Sequence, residues 1–164
     1  MEVLISNFKD VRSSLIEEKK SHLRALKKIF LVTGYSRSGT TLMGEILGSS
    51  ESVFTLAETH FFENMVDGNA INEILPIEKQ VAISRKFFIR AHKGILAEAN
   101  ASSDELALCD ILVKDLIQNY PRNLSASDLY LYMLDVLAKH YGVPIICEQT
   151  GKYLFFIDTY SSFD

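Results

Sequence analysis

The chain has 164 residues, 48% of them hydrophobic, which predicts one domain over residues 1–164 with a core of its own. Its 17 basic and 21 acidic residues give a formal net charge of −4, so the bulk charge favours neither nucleic acid nor an anionic membrane as a partner. Glu2 and Asp10 interrupt the apolar N-terminus, no run reaches the length of a membrane span, and Cys109 and Cys147 lack metal-ligand or redox spacing, which together predict a cytoplasmic protein with reduced thiols.

The first predicted elements are a helix, a buried strand and a second helix. Apolar residues at helical spacing predict an amphipathic helix or helix pair over residues 2–26, with Leu23 and Leu26 extending its face. The run "IFLVT" predicts a fully buried strand of the kind found in parallel sheets. A turn at residues 34–39 ends this strand, and the hydrophobic period changes to that of a helix from Thr40. One face of this helix carries Leu42, Met43, Ile46 and Leu47.

Two further strands and a helical middle follow. The segment "SVFTLAE", residues 52–58, predicts a weaker strand that ends at a polar cluster. Residues 69–141 predict helix almost throughout, and "VPIICEQT", residues 143–150, predicts another strand. Periodicity alone does not separate a strand from a buried helix in "KYLFFIDTY", residues 152–160. The succession of elements predicts an α/β fold with a short parallel sheet and a helical insertion.

Caps and breakers divide the helical middle into three helices. Pro76 opens the first, Ser102 and Glu105 form a capping box for the second, and Gly142 ends the third. The apolar faces hold Phe88, Ala91 and Ile95 in the first helix and Leu106, Cys109, Val113 and Leu116 in the second.

The turn at residues 34–39 has the composition of an anion site. A turn between a buried strand and a helix directs backbone N–H groups and the positive end of the helix dipole towards one point. Gly34 and Gly39 permit a close approach of the backbone, which a side chain would block. Hydroxyl donors at the same place come from Ser36, Ser38, Thr40 and Thr41. An ordinary turn without a ligand is the alternative interpretation.

This turn departs from the loop of nucleotide hydrolases in its cation. The spacing Gly34-x4-Gly39 repeats the P-loop frame, but Thr40 occupies the position of the Walker lysine, and Arg37 supplies the positive charge. A nucleotide hydrolase also needs an Asp at the end of a second buried strand, whereas residues 148–150 are Glu, Gln and Thr. A planar guanidinium donates two hydrogen bonds to a phosphate or sulfate without any metal.

At these residues the sequence resembles a known family. "GYSRSGTTLM", residues 34–43, resembles the 5′-phosphosulfate-binding loop of sulfotransferases that use 3′-phosphoadenosine 5′-phosphosulfate (PAPS), especially the tyrosylprotein-type and related bacterial small-molecule enzymes. "ESVFTLAETHFFE", residues 51–63, is similar to their second strand. "ICEQTGKYLFFID", residues 146–158, is similar to their Glu-Lys-Thr-Pro segment and the helix after it, so the resemblance favours a helix in this last segment.

The resemblance implies a fold and a set of site residues. It implies a P-loop-type three-layer α/β fold, PAPS as the sulfuryl donor, no metal, and a small-molecule or peptide acceptor with a hydroxyl or amine. Arg37 falls where the family stabilises the transferring sulfuryl group, and Glu58 falls where the tyrosylprotein-type enzymes place the general base. The donor's 5′-phosphosulfate end would be held by Ser36, Arg37, Ser38, Gly39, Thr40 and Thr41.

The C-terminal part departs from the family pattern. Gln149 replaces the family's lysine and Gly151 its proline, which leaves Lys152 as a substitute cation. The family's later Arg-rich motif, which binds the donor's 3′-phosphate, has no counterpart before Asp164. We therefore expect a sulfotransferase domain truncated at its C-terminus, which self-associates through an incomplete sheet. An active and an inactive domain are both compatible with the sequence.

Alternatives stay open at this point. Glu58 is a helix-capping or solvated carboxylate if it is not the base, and His60 is a second acid/base group, a cap or a packed ring. A degenerate P-loop nucleotide kinase or NTPase would bind ATP with Mg²⁺. A non-catalytic remnant or binding module would bind no donor at all.

Overall fold

A computed structural model describes residues 23–34, 38–66, 71–94 and 99–150, and no side-chain feature of Thr150 is described. The described residues form a mixed α/β fold with three strands and five helices, so the α/β part of the predicted fold class is confirmed. In chain order the elements are β1 (Lys28–Thr33), α1 (Thr40–Gly48), β2 (Val53–Thr55), α2 (Phe61–Asn64), α3 (Ile77–Lys93), α4 (Ser103–Asn119), α5 (Ala126–Tyr141) and β3 (Ile145–Thr150).

The three strands form a parallel sheet in the order β1-β3-β2. The β1 register runs from Lys28 opposite Ile145 to Thr33 opposite Thr150, and β2 begins with Val53 also opposite Ile145. The chain therefore passes from β1 across β3 to β2 and returns to the centre through the helices. All three strands point the same way, so their carboxyl ends meet at one edge of the sheet, where ligands of open α/β sheets bind.

Helices pack on both faces of this sheet. Alternate residues of a strand point to opposite faces. Thr55 and Gln149 face α1, since the backbone of Gly44 in α1 lies against both side chains. On the other face, the Phe54 ring stacks on Tyr141 of α5, with the ring centroids 4.2 Å apart. This arrangement is the one expected of right-handed crossovers, because the β1–β2 and β2–β3 connections cross the sheet in opposite directions and so place their helices on opposite faces.

Helix α1 packs on the sheet through glycines and not through its apolar residues. Gly44 is buried, and a Cβ atom there would lie 2.9 Å from Gln149 Oε1 and 3.2 Å from Thr55 Cγ2. A Cβ at Gly48 would lie 2.7 Å from Thr55 Oγ1. Most of the predicted apolar face is instead turned outwards, since Leu42, Met43 and Ile46 are 61%, 47% and 55% exposed, while the fourth residue, Leu47, is half-buried. The helical period was therefore correct, but it did not identify the packed face.

We expect Gly44→Val to lower the free energy of unfolding by about 1–3 kcal/mol, because overpacking forces a close-packed contact apart. Valine would push α1 away from β2 and β3, where a Cβ alone already comes within 2.9 Å of a neighbour. Met43→Ala on the exposed face is the control and should change stability by less than about 0.5 kcal/mol. Urea unfolding measures both values. A valine variant as stable as the wild type would contradict this packing.

The three long helices begin at the predicted signals, and the last of them ends at the predicted Gly142; the first ends at Lys93, before the predicted face residue Ile95. Ser102 and Glu105 form both hydrogen bonds of a capping box at the start of α4, Ser125 caps α5, and Gly142 ends α5 in a left-handed conformation. The ammonium of Lys93, 2.5 Å from the Glu105 carboxylate, and then the hydrogen bonds with Ser102 lower the pKa of Glu105 to about 2. Leu106 was assigned to the packed face of α4, but it is 40% exposed, and Leu112 lies in the core instead.

Aromatic side chains between α2, α3 and α5 form much of the core. Phe61 is fully buried, and its ring lies 4.8 Å from the rings of Phe62 and Tyr130 and 5.9 Å from that of Phe87. Aromatic pairs of this kind add about 0.5–1.5 kcal/mol beyond their area burial. They anchor the short helix α2 and thereby the polar segment that precedes it. Cys109 and Cys147 are both buried in the interior.

Residues 23–27 do not continue a helix, so this part of the sequence prediction was wrong. The backbone N–H groups of Arg24, Ala25 and Leu26 all donate to the Asp135 carboxylate on α5, at 2.9, 2.9 and 2.6 Å. A helix would use those three groups for its own hydrogen bonds. Residues 1–22 and 151–164, where the rest of that helix and the helix after β3 were predicted, lie outside the described residues.

Candidate functional site

The turn after β1 brings together several predicted ligand-binding residues. A Cβ atom at Gly34 would collide with the hydroxyl of Ser38 and lie 3.2 Å from Cγ2 of Thr40, so these two side chains converge on the Gly34 backbone. The absence of a side chain at Gly34 is what allows this close approach. Two other predicted residues, Ser36 and Arg37, lie outside the described residues.

Gly39 opens helix α1 in a conformation that suits glycine. Its φ of 88° is in the left-handed region, which residues with a Cβ rarely adopt. As the N-cap residue it has no side chain, so it does not cap the first turn of the nine-residue helix. The N–H groups of that turn therefore keep their capacity to bind an anion, together with the positive end of the helix dipole.

Two threonines lie at either end of this turn. The Thr33 hydroxyl oxygen, at the carboxyl end of β1, is buried and has no hydrogen-bond partner among the described residues. Thr41, in the first turn of α1, lines an open groove of about 500 Å³ that runs along α1 towards β2. Gly44, Gly48, Thr55 and Gln149 are also in the groove lining.

Glu58 follows β2 at the same edge of the sheet. The Leu56 N–H donates to the Cys147 carbonyl, which extends the ladder past β2, and the Ala57 N–H donates to the Ala91 carbonyl on α3. The backbone is thus directed away from the sheet just before Glu58, whose side chain is 55% exposed. Because β3 lies between them, β1, which leads to the Gly34 turn, and β2, which leads to Glu58, are roughly 10 Å apart across the sheet.

A buried polar cluster supports the segment that carries Glu58. The Thr59 hydroxyl donates to the Glu148 carboxylate at 3.3 Å, and the Arg90 guanidinium donates to the Thr59 carbonyl at 3.2 Å. All three residues are at most 5% exposed. Buried charges are stable only when they are paired or hydrogen-bonded, so this cluster holds Thr59 in one position. The carboxylate of Glu58 is therefore presented to solvent from a fixed backbone.

His60, next to Thr59, lies between two carboxylates. Its Nε2 is 3.4 Å from Glu58 Oε2, and its Nδ1 forms a hydrogen-bonded pair with Glu63 Oε2. His60 is also the N-cap residue of α2, in the left-handed conformation with φ 50°. It occupies the N-cap position of α2 without a capping hydrogen bond from its side chain, and its ring also contacts the predicted base.

Gln149, where the resembling family has lysine, is directed towards α1. Its Nε2 donates weakly to the Leu56 carbonyl at 3.4 Å, and its Oε1, which has no partner among the described residues, lies beside Gly44. The neutral amide of Gln149 packs against Gly44 of α1, so no charged group lies at this contact. Lys152, the substitute cation, falls outside the described residues.

The structure brings together some predicted residues and adds others. Ser38, Gly39 and Thr40 lie in one turn, while Glu58 belongs to a second cluster after β2. Sequence reasoning missed the roles of Arg90, Glu148 and Glu63, which support or contact that second cluster. The spacing of His60 and Glu63 at i and i+3 was the only available signal, because Arg90 and Glu148 are distant in sequence.

Comparisons of the chain with protein-family models, with curated proteins and with solved structures give no match. The described part of the chain holds no group of three or more His, Cys, Asp or Glu side chains arranged to bind a metal ion. Within the same residues, none of the helices has the length and apolar character needed to cross a membrane.

Proposed function

We propose that this protein transfers a sulfuryl group from PAPS to a hydroxyl or amine of a small-molecule or peptide acceptor. The observation that carries the proposal is the turn after β1, where left-handed Gly39 opens α1 at the carboxyl edge of a parallel sheet. This geometry directs backbone N–H groups and the helix dipole at one anion. The resemblance of "GYSRSGTTLM" to the 5′-phosphosulfate loop supports a sulfated phosphate as that anion.

The residues of the turn fit the phosphosulfate end of such a donor. The first-turn N–H groups of α1 and the hydroxyls of Ser38 and Thr40 are the kinds of donor that phosphate and sulfate oxygens accept from. Ser36 and Thr41 add two hydroxyls by sequence, and Arg37 adds the positive charge. The bound donor supplies the sulfuryl group, and Arg37 neutralises the charge on that group during transfer without a metal.

Glu58 is the proposed base. Its exposed carboxylate reaches an acceptor from solvent, and its backbone is held by the ladder and by the buried Thr59 cluster. A carboxylate fixed in this way removes the proton from a hydroxyl or amine as the acceptor attacks. The acceptor then has to lie between the turn and Glu58, over the end of β3.

Titration calorimetry with 3′-phosphoadenosine 5′-phosphate tests the proposed donor site. We expect binding to the wild type and a loss of roughly 10–100-fold in affinity for Arg37→Ala, because hydrogen bonds to charged groups contribute about 1.5–3 kcal/mol. Arg122→Ala, at an exposed position outside the turn, is the matched control and should bind as the wild type does.

Two results would overturn the proposed donor. Binding of ATP with Mg²⁺ in preference to the bisphosphate would favour a nucleotide kinase or NTPase with a degenerate loop. A wild type that binds neither ligand would favour a non-catalytic module. Circular dichroism of each variant accompanies its titration. If Arg37→Ala loses affinity only to the extent that it unfolds, Arg37 stabilises the fold and does not bind the ligand.

A further inference from the structure

The ring of His60 forms the centre of an array of three side chains. Nε2 faces the Glu58 carboxylate at 3.4 Å, and Nδ1 is hydrogen-bonded with the Glu63 carboxylate. Exposure differs along the array, since the side chain of Glu58 is 55% exposed, whereas those of His60 and Glu63 are 18% and 16% exposed. The array thus leads from a solvent-facing carboxylate to a largely buried one.

The backbone conformation of His60 supports a role in this array. A left-handed φ of 50° is uncommon for a residue other than glycine and costs about 1 kcal/mol or more. Among the described residues, His60 is the only one other than glycine with a positive φ. The conformation is held by the Asn64 N–H, which donates to the His60 carbonyl at 2.9 Å, and by the buried rings of Phe61 and Phe62. Strain of this kind, fixed by its surroundings, occurs preferentially at functional sites.

The contact with Glu63 determines which nitrogen of the neutral ring carries the proton. An ionised carboxylate only accepts hydrogen bonds, so it retains the proton on Nδ1. The lone pair is then on Nε2, which faces Glu58. A ring hydrogen bond that sets the tautomer in this way is the usual means of preparing a histidine to take up a proton.

We propose that His60 is a positioning residue that accepts, at Nε2, the proton that Glu58 removes from the acceptor, while Glu63 holds the ring. This inference rests on the proposed function and extends it to two residues that the resemblance does not assign. It explains why a histidine occupies a strained cap position beside the base, where asparagine would cap α2 more readily.

The atoms balance in two steps. The acceptor's oxygen or nitrogen forms a bond to the sulfur of the phosphosulfate donor, and the electrons of the breaking sulfur–oxygen bond leave with the donor's phosphate. The acceptor's proton passes to a Glu58 carboxylate oxygen. That proton then moves to His60 Nε2, which restores the Glu58 carboxylate and leaves a ring protonated at both nitrogens between Glu58 and Glu63.

Nuclear magnetic resonance of the ring nitrogens tests the array without any turnover. In the neutral ring we expect the His60 proton on Nδ1 in the wild type, where the Glu63 carboxylate accepts from it. Glu63→Gln should shift the proton towards Nε2, because the amide offers its N–H to Nδ1 as readily as its carbonyl. A wild-type ring protonated on Nε2, or one that does not respond to Glu63→Gln, would overturn the proposal.

Sulfuryl transfer from PAPS to a phenol or a primary amine tests the role of the array in turnover. We expect His60→Asn to lower kcat by roughly 10–100-fold with little change in KM, because proton transfer is impaired while the binding residues are intact. Asparagine tolerates the left-handed conformation, so this variant keeps the backbone. His140→Asn on the exposed end of α5 is the matched control.

A second variant separates proton transfer from folding. His60→Gly also adopts φ 50° without strain and leaves space for added imidazole, which should restore part of the lost kcat. Rates of His60→Asn equal to the wild type, or a His60→Gly variant that imidazole does not restore, would overturn the role of His60. A wild type that transfers no sulfuryl group would overturn the proposed function itself, and the tautomer measurement still decides whether the array exists.

Discussion

Replacement of Asp135 by alanine should lower the free energy of unfolding by about 3–5 kcal/mol, one of the largest single-residue effects in the protein. The Asp135 side chain is 0% exposed and accepts four hydrogen bonds from residues that the structure describes. Three come from the backbone N–H groups of Arg24, Ala25 and Leu26, and the fourth comes from the Tyr120 hydroxyl at 2.6 Å. Alanine would leave these donors without an acceptor, two of them, Leu26 N–H and the Tyr120 hydroxyl, in buried positions, and each unsatisfied buried group costs about 1–3 kcal/mol.

This effect has a specific consequence for the site. Residues 24–26 lead directly into β1, whose carboxyl end carries the Gly34 turn. Asp135 belongs to α5, the last helix before β3. Its carboxylate therefore ties the segment before β1 to a helix more than 100 residues later in the chain. Loss of this acceptor should therefore loosen the entry to β1 as well as the core.

Urea unfolding of three variants measures the contribution of Asp135. Tyr120→Phe removes only one of the four donors and should cost about 1–1.5 kcal/mol, well below the value for Asp135→Ala. Asp110→Ala, whose carboxylate makes an exposed ion pair with Arg85 at 2.8 Å, should cost less than about 1 kcal/mol. An Asp135→Ala variant within about 1 kcal/mol of the wild type would contradict the assigned role.

Substitution of Glu58 by glutamine should lower kcat for sulfuryl transfer by roughly 10²–10⁴-fold, which is the usual contribution of a general base. The amide has the same shape as the carboxylate but accepts no proton at its nitrogen. The side chain is 55% exposed, so the free energy of unfolding should change by less than about 0.5 kcal/mol. The two measurements together separate a role in proton removal from a role in the fold.

Steady-state kinetics with PAPS and a phenol or amine acceptor measures this effect. Glu51→Gln, at an exposed carboxylate in the turn before β2, is the matched control and should keep the wild-type kcat. The affinity for 3′-phosphoadenosine 5′-phosphate should be the same in Glu58→Gln as in the wild type, because Glu58 is outside the anion-binding turn. A Glu58→Gln variant with wild-type kcat would remove Glu58 from the mechanism.

The predicted effects of Glu58 and His60 differ in kind. Glu58 contacts the acceptor in the proposed transfer, whereas His60 acts on the acceptor only through Glu58. Loss of Glu58, the base, should therefore lower kcat more than loss of His60, which accepts the proton from Glu58. Similar losses in Glu58→Gln, His60→Asn and the double variant would show that the two residues act as one unit.

The order of elements and most of their ends followed from the sequence alone, because local signals determine them. The capping box at Ser102, the end of α5 at Gly142 and the strands around "IFLVT" and "VPIICEQT" all depend on residues a few positions apart. The Gly34–Gly39 turn was likewise located by its glycines and hydroxyls. These features depend on backbone hydrogen bonds and hydrophobic period, which neighbouring residues fix.

Contacts between residues that are distant in the sequence were decided only by the tertiary structure. The sequence predicted a helix through Leu26, but the Asp135 carboxylate, more than 100 residues away, holds residues 24–26 in an irregular conformation. The apolar face of α1 was visible in the sequence, yet the glycine face packs, because the side chains of Thr55 and Gln149 leave room only for a backbone. The array of Glu58, His60 and Glu63 depends on both local sequence and tertiary contacts. Its spacing is local, but its orientation depends on the buried Arg90 and Glu148, which hydrogen-bond with Thr59.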